Sequence, residues 1–143
     1  TRAMTKLQSH SASHPTSFVQ YACARALQDS QASMTAVGSM LAEYERRRDW
    51  LIPQLNAIRG FKCAMPEGAF YAFVDVREML GDEFKTSADV ADKMLSECQI
   101  VATDGKPFGA EGFIRLSYAT SMQNLENAIE RLRNLFGTSS MSA

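Results

Sequence analysis

One arginine in the last third of the chain has the residue type and the neighbours of an anion-binding group. Residues 113–119, Phe-Ile-Arg-Leu-Ser-Tyr-Ala, alternate with the period of two that is typical of a strand. The alternation predicts that Ile114, Leu116 and Tyr118 face the core and that Arg115 lies on the opposite face. A half-buried guanidinium is costly unless an anion pairs with it, and this strand contains no acid. Because the planar guanidinium fork matches a carboxylate, one interpretation is that Arg115 binds a carboxylate ligand.

A second interpretation of Arg115 stays open at this point. Arginines on strands are usually solvated, and Arg115 could lie on an edge strand in water or pair with a distant glutamate. The preceding loop, residues 105–112, contains three glycines and one proline. It is too short to be a phosphate-binding fingerprint, so it does not decide between the two interpretations.

Length, composition and charge are typical of one soluble globular domain. The chain has 143 residues, of which 45% are hydrophobic and 22% charged, and its net charge is -1. A nearly neutral chain has no general attraction for nucleic acid or for an anionic membrane surface, and no apolar run is long enough to span a bilayer. We therefore expect neither nucleic acid nor membrane as a partner. The first residue is Thr1 rather than methionine, which indicates a processed chain or a piece of a longer one.

The cysteines and histidines predict neither a disulfide framework nor a metal site. Cys23, Cys63 and Cys98 are odd in number and widely spaced, as expected for reduced thiols in a cytoplasmic protein. His10 and His14 lie four residues apart, but in a predicted loop broken by proline and without a third ligand nearby. Zinc requires three or four converging ligands, so no metal site is expected.

The arginine run at residues 46–48 is better explained by ion pairs than by nucleic-acid binding. Glu43 lies four residues before Arg47, and Glu45 lies three residues before Arg48. These spacings bring opposite charges together on one side of a helix. The run therefore predicts a salt-bridged helix surface facing solvent.

Hydrophobic periodicity predicts the elements that position Arg115. A strand over 69–74 is almost entirely apolar, which predicts a central strand covered on both faces. Together the elements predict an α/β (α+β) fold, in which a small mixed sheet of about four strands has helices packed on it and is preceded by a long interdomain helix. The predicted elements, in order, are a loop over 9–17, helices over 18–27 and 31–58 (the latter kinked at Pro53), strands over 61–65 and 69–74, a helix over 86–98, strands over 99–103 and 113–119, and a helix from 121 to 136.

Several short segments are each weak signals but together have the order and spacing of a known family. The segments are Pro-Glu-Gly-Ala-Phe-Tyr at 66–71, the glycine loop at 105–112, Ile-Arg-Leu-Ser-Tyr-Ala at 114–119, and the stretches 6–17 and 44–49. In that order they resemble the C-terminal part of class I/II aminotransferases, the fold-type I enzymes that use pyridoxal 5'-phosphate, and especially bacterial aspartate aminotransferases. The resemblance covers roughly residues 4–136.

The resemblance implies roles for individual residues. Arg115 would bind the α-carboxylate of the substrate, and Gly68 and Phe70 would line the substrate side of the cleft. Without the resemblance, Gly68 would serve only a turn and Phe70 only the core. The resemblance also implies two domains, the tail of a large domain at 1–30 and the small domain with its long leading helix at 31–136. The small and polar residues at 137–143 predict a disordered tail.

The cofactor implied by the resemblance is not expected on this chain alone. In the family the lysine that forms the Schiff base with pyridoxal 5'-phosphate lies upstream of the matching segment, and none of the five lysines here lies in its motif. No residue is assigned to cofactor binding. We therefore expect a truncated piece of a cytoplasmic, homodimeric aminotransferase, inactive without its own large domain, that acts between an aspartate-like amino acid and a 2-keto acid.

Two other functions are compatible with the same residues. One is a stand-alone small α/β module that binds an amino acid or keto acid without catalysis. The other is a purely structural interaction domain. The sequence does not identify the amino-acid substrate.

Overall fold

The structure is a computed structural model and describes residues 2–138. The chain divides into two compact units, Thr1–Leu41 and Ala42–Ala143. Two short 3-10 helices, Arg77–Met79 and Lys106–Phe108, accompany the main elements. The main elements are α1 (Arg2–Ser11), α2 (Ser17–Gln28), α3 (Ser30–Asn56), β1 (Lys62–Cys63), β2 (Tyr71–Asp75), α4 (Ser87–Cys98), β3 (Thr103–Asp104), β4 (Phe113–Ser117) and α5 (Met122–Phe136).

The first unit is helical, and helices α1 and α2 bury none of their residues. The predicted loop over 9–17 is too long, because α1 continues to Ser11. The hydroxyls of Ser9 and Ser11 donate to carbonyls of the preceding turn, at 2.9 Å and 3.0 Å. These local bonds let serines remain in a helix that their propensity alone does not favour. The predicted helix over 18–27 is confirmed by α2.

The long helix predicted over 31–58 is confirmed as α3, with Pro53 inside its last turns. The C-terminal part of α3 buries Leu51, Ile52 and Leu55. At the last residue of the helix, the Asn56 side-chain amide accepts from the backbone N–H of Cys63 at 2.7 Å and donates to the Cys63 carbonyl at 3.0 Å. This pair of bonds fastens the end of α3 to β1. The predicted kink at Pro53 stays a prediction.

The four strands form one sheet in the order β1-β2-β4-β3, and all three pairings are antiparallel. β4 is therefore an interior strand. Its Arg115 lies opposite Phe73 on β2 and opposite Thr103 on β3. Helices accompany the sheet in the same unit, which confirms the predicted α/β class with about four strands. The sheet itself is antiparallel where a mixed sheet was predicted.

The two faces of the sheet differ in burial. One face belongs to the hydrophobic core and is covered by helices, with Ala72, Val74 and Ile114 fully buried. On the other face Phe73 is 36% exposed. The prediction that this strand is covered on both faces is therefore wrong for the described residues. The outward Phe73 ring instead stacks on the Phe113 ring at 5.1 Å, so aromatic pairing accounts for the apolar residue there.

Helix α4 begins and ends with identifiable caps. The Thr86 hydroxyl accepts from the N–H of Asp89, while the Asp89 carboxylate accepts from the N–H of Thr86. This capping box satisfies N–H groups that the helix leaves unpaired. At the other end Gln99 is left-handed, with φ of 55°. The predicted strand over 99–103 is therefore wrong at its start, because Gln99 caps the helix and β3 contains only Thr103 and Asp104.

The last helix and the end of the described chain close the fold. The helix predicted from 121 to 136 is confirmed as α5, and Ser121 caps it by accepting from the N–H of Asn124. The Gly137 carbonyl accepts from the N–H of Arg59 at 3.1 Å, and Thr138 bridges to Ile58. Residues 139–143 of the predicted tail lie outside the described residues. Within residues 2–138, no helix has the length and apolarity needed to cross a membrane.

Candidate functional site

Arg115 lies half-buried on the open face of the sheet, on an interior strand. Among residues 2–138 it has no carboxylate within ion-pair distance. Two aromatic rings contact it instead, since its Cζ atom is 4.4 Å from the ring centroid of Tyr71 and 4.4 Å from that of Phe108. Because β4 lies between β2 and β3, the alternative that Arg115 lies on an edge strand is wrong. The guanidinium N–H donors have no acid partner in the described chain and are suited to an external anion.

The register of the sheet explains why Tyr71 reaches Arg115. Tyr71 pairs with Ser117, and Phe73 pairs with Arg115, so Tyr71 and Arg115 are diagonal neighbours on the same face. Diagonal positions on neighbouring strands are within reach of aromatic and long side chains. The contact therefore follows from the pairing of β2 with β4.

Phe108 reaches Arg115 from the loop between β3 and β4. The N–H of Gly105 donates to the Phe113 carbonyl at 2.8 Å, and the N–H of Phe108 donates back to Gly105 at 2.9 Å. A Cβ atom on Gly105 would meet the backbone oxygens of Ala110 and Phe113. Only glycine fits this close approach, so the loop folds back over β4 and brings Phe108 to the guanidinium.

A buried serine fastens both ends of this loop. Ser87, at the start of α4, is fully buried. Its hydroxyl donates to the Asp104 carboxylate at 2.7 Å and accepts from the N–H of Gly112 at 3.1 Å. Sequence reasoning missed this role, because a serine at a helix start is ordinarily explained as part of the cap.

The segment containing Gly68 and Phe70 is held by a tyrosine of the core. Tyr118 is 1% exposed, and its hydroxyl donates to the Ala69 carbonyl at 3.1 Å, while its N–H donates to the Phe70 carbonyl at 2.9 Å. Burial raises the pKa of the Tyr118 phenol, so the group stays a neutral donor. Ala69 adopts a left-handed conformation with φ of 59°. This bend is uncommon for a residue with a side chain, and the Tyr118 bonds help to maintain it.

Phe70 and Gly68 differ in their relation to Arg115. The Phe70 ring lies 4.6 Å from the Tyr71 ring, and Tyr71 contacts Arg115 directly. Phe70 also packs on Tyr44 at 5.6 Å. Gly68 is exposed, and a Cβ built there meets no atom within 4 Å. Phe70 is thus joined to the arginine through one ring, whereas Gly68 has open space beside it.

A groove on the open face lies next to these rings. Its volume is about 540 Å³, and Tyr71, Phe73 and Phe113 contribute aromatic walls. Arg115 does not line the groove itself, but Tyr71 lines the groove and also contacts Arg115. The open face of the sheet therefore combines an apolar recess with a nearby guanidinium.

The other clusters singled out from the sequence form local contacts. Arg46 and Arg47 both bind Glu43 at 2.8 Å, and the hydrogen bond from Arg46 is the main reason that the pKa of Glu43 falls to about 2. The predicted pairing of Arg48 with Glu45 is wrong, because Arg48 binds the adjacent Asp49 at 2.8 Å. Within residues 2–138 no group of three or more potential ligands could hold a metal ion.

Comparison with known proteins identifies the family of this chain. The sequence profile of "Aminotransferase class I and II" matches residues 1–132. The chain belongs to the class I and II aminotransferases. The predicted resemblance is therefore confirmed.

Curated aminotransferases of bacteria are among the relatives. The "Aspartate aminotransferase" of Bacillus sp. strain YM-2 is 43% identical over 131 residues, which cover 91% of this chain and 33% of the relative. The "Aspartate/prephenate aminotransferase" of Nitrosomonas europaea is 39% identical over 140 residues, covering 93% of this chain and 34% of the relative. The chain thus spans about a third of the length of the curated relatives it matches.

Solved aminotransferase structures share the fold. The Thermus thermophilus aspartate aminotransferase determined with maleate matches with a TM-score of 0.79 and 35% identity, over 94% of this chain and 34% of that one. The aromatic aminotransferase of Pyrococcus horikoshii OT3 matches with a TM-score of 0.77 and 39% identity, over 91% of this chain and 34% of that one. This chain thus covers about a third of each solved structure, as it does of the curated relatives.

Proposed function

We propose that this chain is the C-terminal, carboxylate-binding part of a pyridoxal-phosphate-dependent aminotransferase. The enzyme transfers an amino group between an aspartate-like amino acid and a 2-keto acid, and Arg115 binds the α-carboxylate. The observation that carries the proposal is the half-buried Arg115 guanidinium, which has no acid partner among residues 2–138 and lies on the open face of the sheet. The names of the aspartate aminotransferase relatives and the maleate in the Thermus structure support a carboxylate substrate.

An arginine is well suited to this task. Two parallel N–H donors on the guanidinium bind both oxygens of one carboxylate and so fix the position and the orientation of the substrate. A fixed orientation contributes to catalysis because the reacting bond is held in a productive geometry. Gly68 and Phe70 line the substrate side of the cleft in this proposal. Phe70 is supported by its contact with Tyr71, and Gly68 by the open space beside it.

Three of the five lysines of this chain pair with acids, which does not suit covalent attachment of pyridoxal 5'-phosphate. When bound, the cofactor supplies an electron sink for amino-acid chemistry. A lysine that attaches it must lose its proton, whereas Lys93 binds Glu83 at 2.9 Å and that hydrogen bond raises the Lys93 pKa. Lys62 binds Glu78, and Lys106 lies 3.5 Å from Glu111.

We therefore assign cofactor binding to the rest of the enzyme. A large domain of the same polypeptide holds pyridoxal 5'-phosphate, and the full enzyme is a cytoplasmic homodimer. The 143 residues alone are inactive. If equimolar pyridoxal 5'-phosphate is added, free aldehyde is removed by gel filtration and borohydride then follows, the mass of this chain should stay unchanged, and a stoichiometric adduct on one lysine would contradict this assignment.

A fusion enzyme tests the role of the chain in catalysis. The chain is joined to the N-terminal two-thirds of the Bacillus sp. YM-2 aspartate aminotransferase, in place of the matching third. Transamination from aspartate should be recovered. Arg115→Lys keeps the charge but loses the two-pronged geometry, so kcat/KM should fall about a hundredfold.

A second arginine provides the matched control. Arg77 also contacts a ring, with its Cζ atom 5.2 Å from the Phe113 centroid, but it pairs with Asp75. Arg77→Lys should leave kcat/KM within about twofold of the parent fusion, as for an exposed ion pair. Equal losses in the two variants, or no loss in Arg115→Lys, would refute carboxylate binding by Arg115.

A further inference from the structure

We infer that Tyr71 and Phe108 form a two-ring clamp that orients the Arg115 guanidinium and makes the site selective for planar carboxylates over tetrahedral anions. This inference rests on the proposed function, because it concerns how Arg115 binds its anion. Tyr71 and Phe108 are positioning residues, since they act on the substrate through the arginine. Neither ring has a chemical part in the transfer of the amino group.

The two rings approach the guanidinium from opposite sides of β4. Tyr71 belongs to β2, which pairs with one edge of β4, and Phe108 follows β3, which pairs with the other edge. Both ring centroids are 4.4 Å from the Arg115 Cζ atom. At this distance a ring makes a favourable cation–π contact with a guanidinium. Because the two rings lie at the same distance and approach from different strands, each ring limits how far the guanidinium can tilt towards it.

Each half of the clamp has its own support. The Tyr71 ring packs on Phe70 at 4.6 Å, and its backbone is fixed by the pairing of β2 with β4. Phe108 is 53% exposed, so its position depends on the loop backbone rather than on burial. Ser87 holds that loop at both ends, through Asp104 at 2.7 Å and Gly112 at 3.1 Å. Hydrogen bonds within the chain thus hold the backbone that carries each ring, without any bound anion.

A guanidinium between two rings discriminates between anions by shape. The N–H donors of arginine lie in the plane of the group, so an anion must approach its edge in that plane. Both oxygens of a carboxylate lie in one plane and match this approach. A sulfonate or phosphonate has a third oxygen, and this oxygen projects out of the plane towards a ring. Removal of a ring should admit the third oxygen and allow the guanidinium to tilt.

The geometry of the clamp can be tested on the 143-residue chain without a ligand. Ring currents from the two rings should shift the Arg115 Nε–H and Cδ proton resonances upfield relative to those of Arg59, an exposed arginine with no ion pair or ring contact within residues 2–138. Phe108→Leu and Tyr71→Leu each remove one ring and should each remove part of the shift. Phe108→Tyr and Tyr71→Phe keep the rings and should keep the shift. Arg115 resonances that coincide with those of Arg59 in the parent chain would overturn the clamp.

The selectivity is tested in the fusion enzyme with two probes of equal charge. Competitive inhibition constants are measured for propionate, which is planar at its anionic end, and for ethanesulfonate, which is tetrahedral. In Phe108→Leu and Tyr71→Leu the preference for propionate should fall by about three- to tenfold, the value of one cation–π contact. KM for aspartate should rise, with kcat close to that of the parent. The ring-keeping variants Phe108→Tyr and Tyr71→Phe should retain the parent preference.

The outcomes separate this inference from the proposed function. If Arg115→Lys weakens propionate binding but the leucine variants keep the parent preference, the clamp is refuted and the proposed function stands. If Arg115→Lys leaves propionate binding unchanged, the proposed function fails, and the selectivity assigned to the clamp fails with it. A preference that falls equally in Phe108→Leu and Phe108→Tyr would also refute the clamp, because the ring would then not be the cause.

Discussion

The two faces of the central strand pair β2–β4 carry different tasks although their residues alternate along the same strands. On the covered face Val74 and Ile114 are fully buried, and helices pack over them. On the open face Tyr71 and Arg115 are half-buried and Phe73 is 36% exposed. Buried core residues and the residues of the proposed binding site thus alternate along the same strands. A slip of one residue in the pairing would exchange the two sets, so the covered face also secures the register of the site.

The largest effect on stability is expected from the covered face. Ile114 is fully buried in the core, and Ile114→Ala should lower the free energy of unfolding by about 2–5 kcal/mol, because it removes buried apolar atoms and leaves a cavity. Urea denaturation followed by circular dichroism measures the change. The adjacent Arg115→Ala is the matched variant on the open face, and its loss should stay below about 1 kcal/mol. Similar losses in the two variants would remove the distinction between the faces.

A smaller effect is expected at Tyr118, which lies on the core side but supports the open side. Tyr118→Phe removes the hydrogen bond to the Ala69 carbonyl and should lower the free energy of unfolding by about 1 kcal/mol. In the fusion enzyme it should also raise KM, because the segment containing Phe70 is less well held. Tyr44→Phe is the control, since the Tyr44 hydroxyl makes no hydrogen bond within residues 2–138. A Tyr118→Phe variant as stable as this control would contradict the assigned role.

The smallest effect depends on pH and concerns the helix that carries Ser87. Hydrogen bonds from the backbone N–H groups of Thr86 and Lys85 lower the pKa of Asp89 below its ordinary value. A carboxyl group with a lowered folded-state pKa stabilises the protein above its unfolded pKa of about 3.9, and this contribution is lost as the pH falls through the folded value. Asp89→Asn should therefore lower the melting temperature at pH 7, and the difference should shrink as the pH is lowered below 4. A difference that is equal at pH 7 and in acid would show that the charge of Asp89 is not responsible.

The covered face could be predicted from the sequence because burial follows simple periods. Strand alternation placed Ile114, Leu116 and Tyr118 together, and all three are buried. Helical spacing likewise identified the buried stripe of α5. The caps at Thr86 and Ser121 were also predictable, because each depends only on residues within one turn.

The open face could not be predicted as well because its contacts join distant segments. The contact of Phe108 with Arg115 requires a particular loop conformation, and the role of Ser87 requires two segments to meet at its hydroxyl. The apolar run of β2 was misinterpreted for a related reason. Sequence period cannot distinguish an aromatic residue that is covered by a helix from Phe73, which stacks on a neighbouring strand.

The pairing of β2 with β4 has a consequence for the order of folding. It joins residues about forty positions apart in sequence, so a long stretch of chain must close before the central ladder forms. Tyr71, Arg115 and Phe108 come together only after that closure. A nascent chain still lacking β4 has no Arg115, and a short peptide copied from residues 105–121 has Arg115 and Phe108 but not Tyr71. The proposed selective recognition would therefore be a late product of folding.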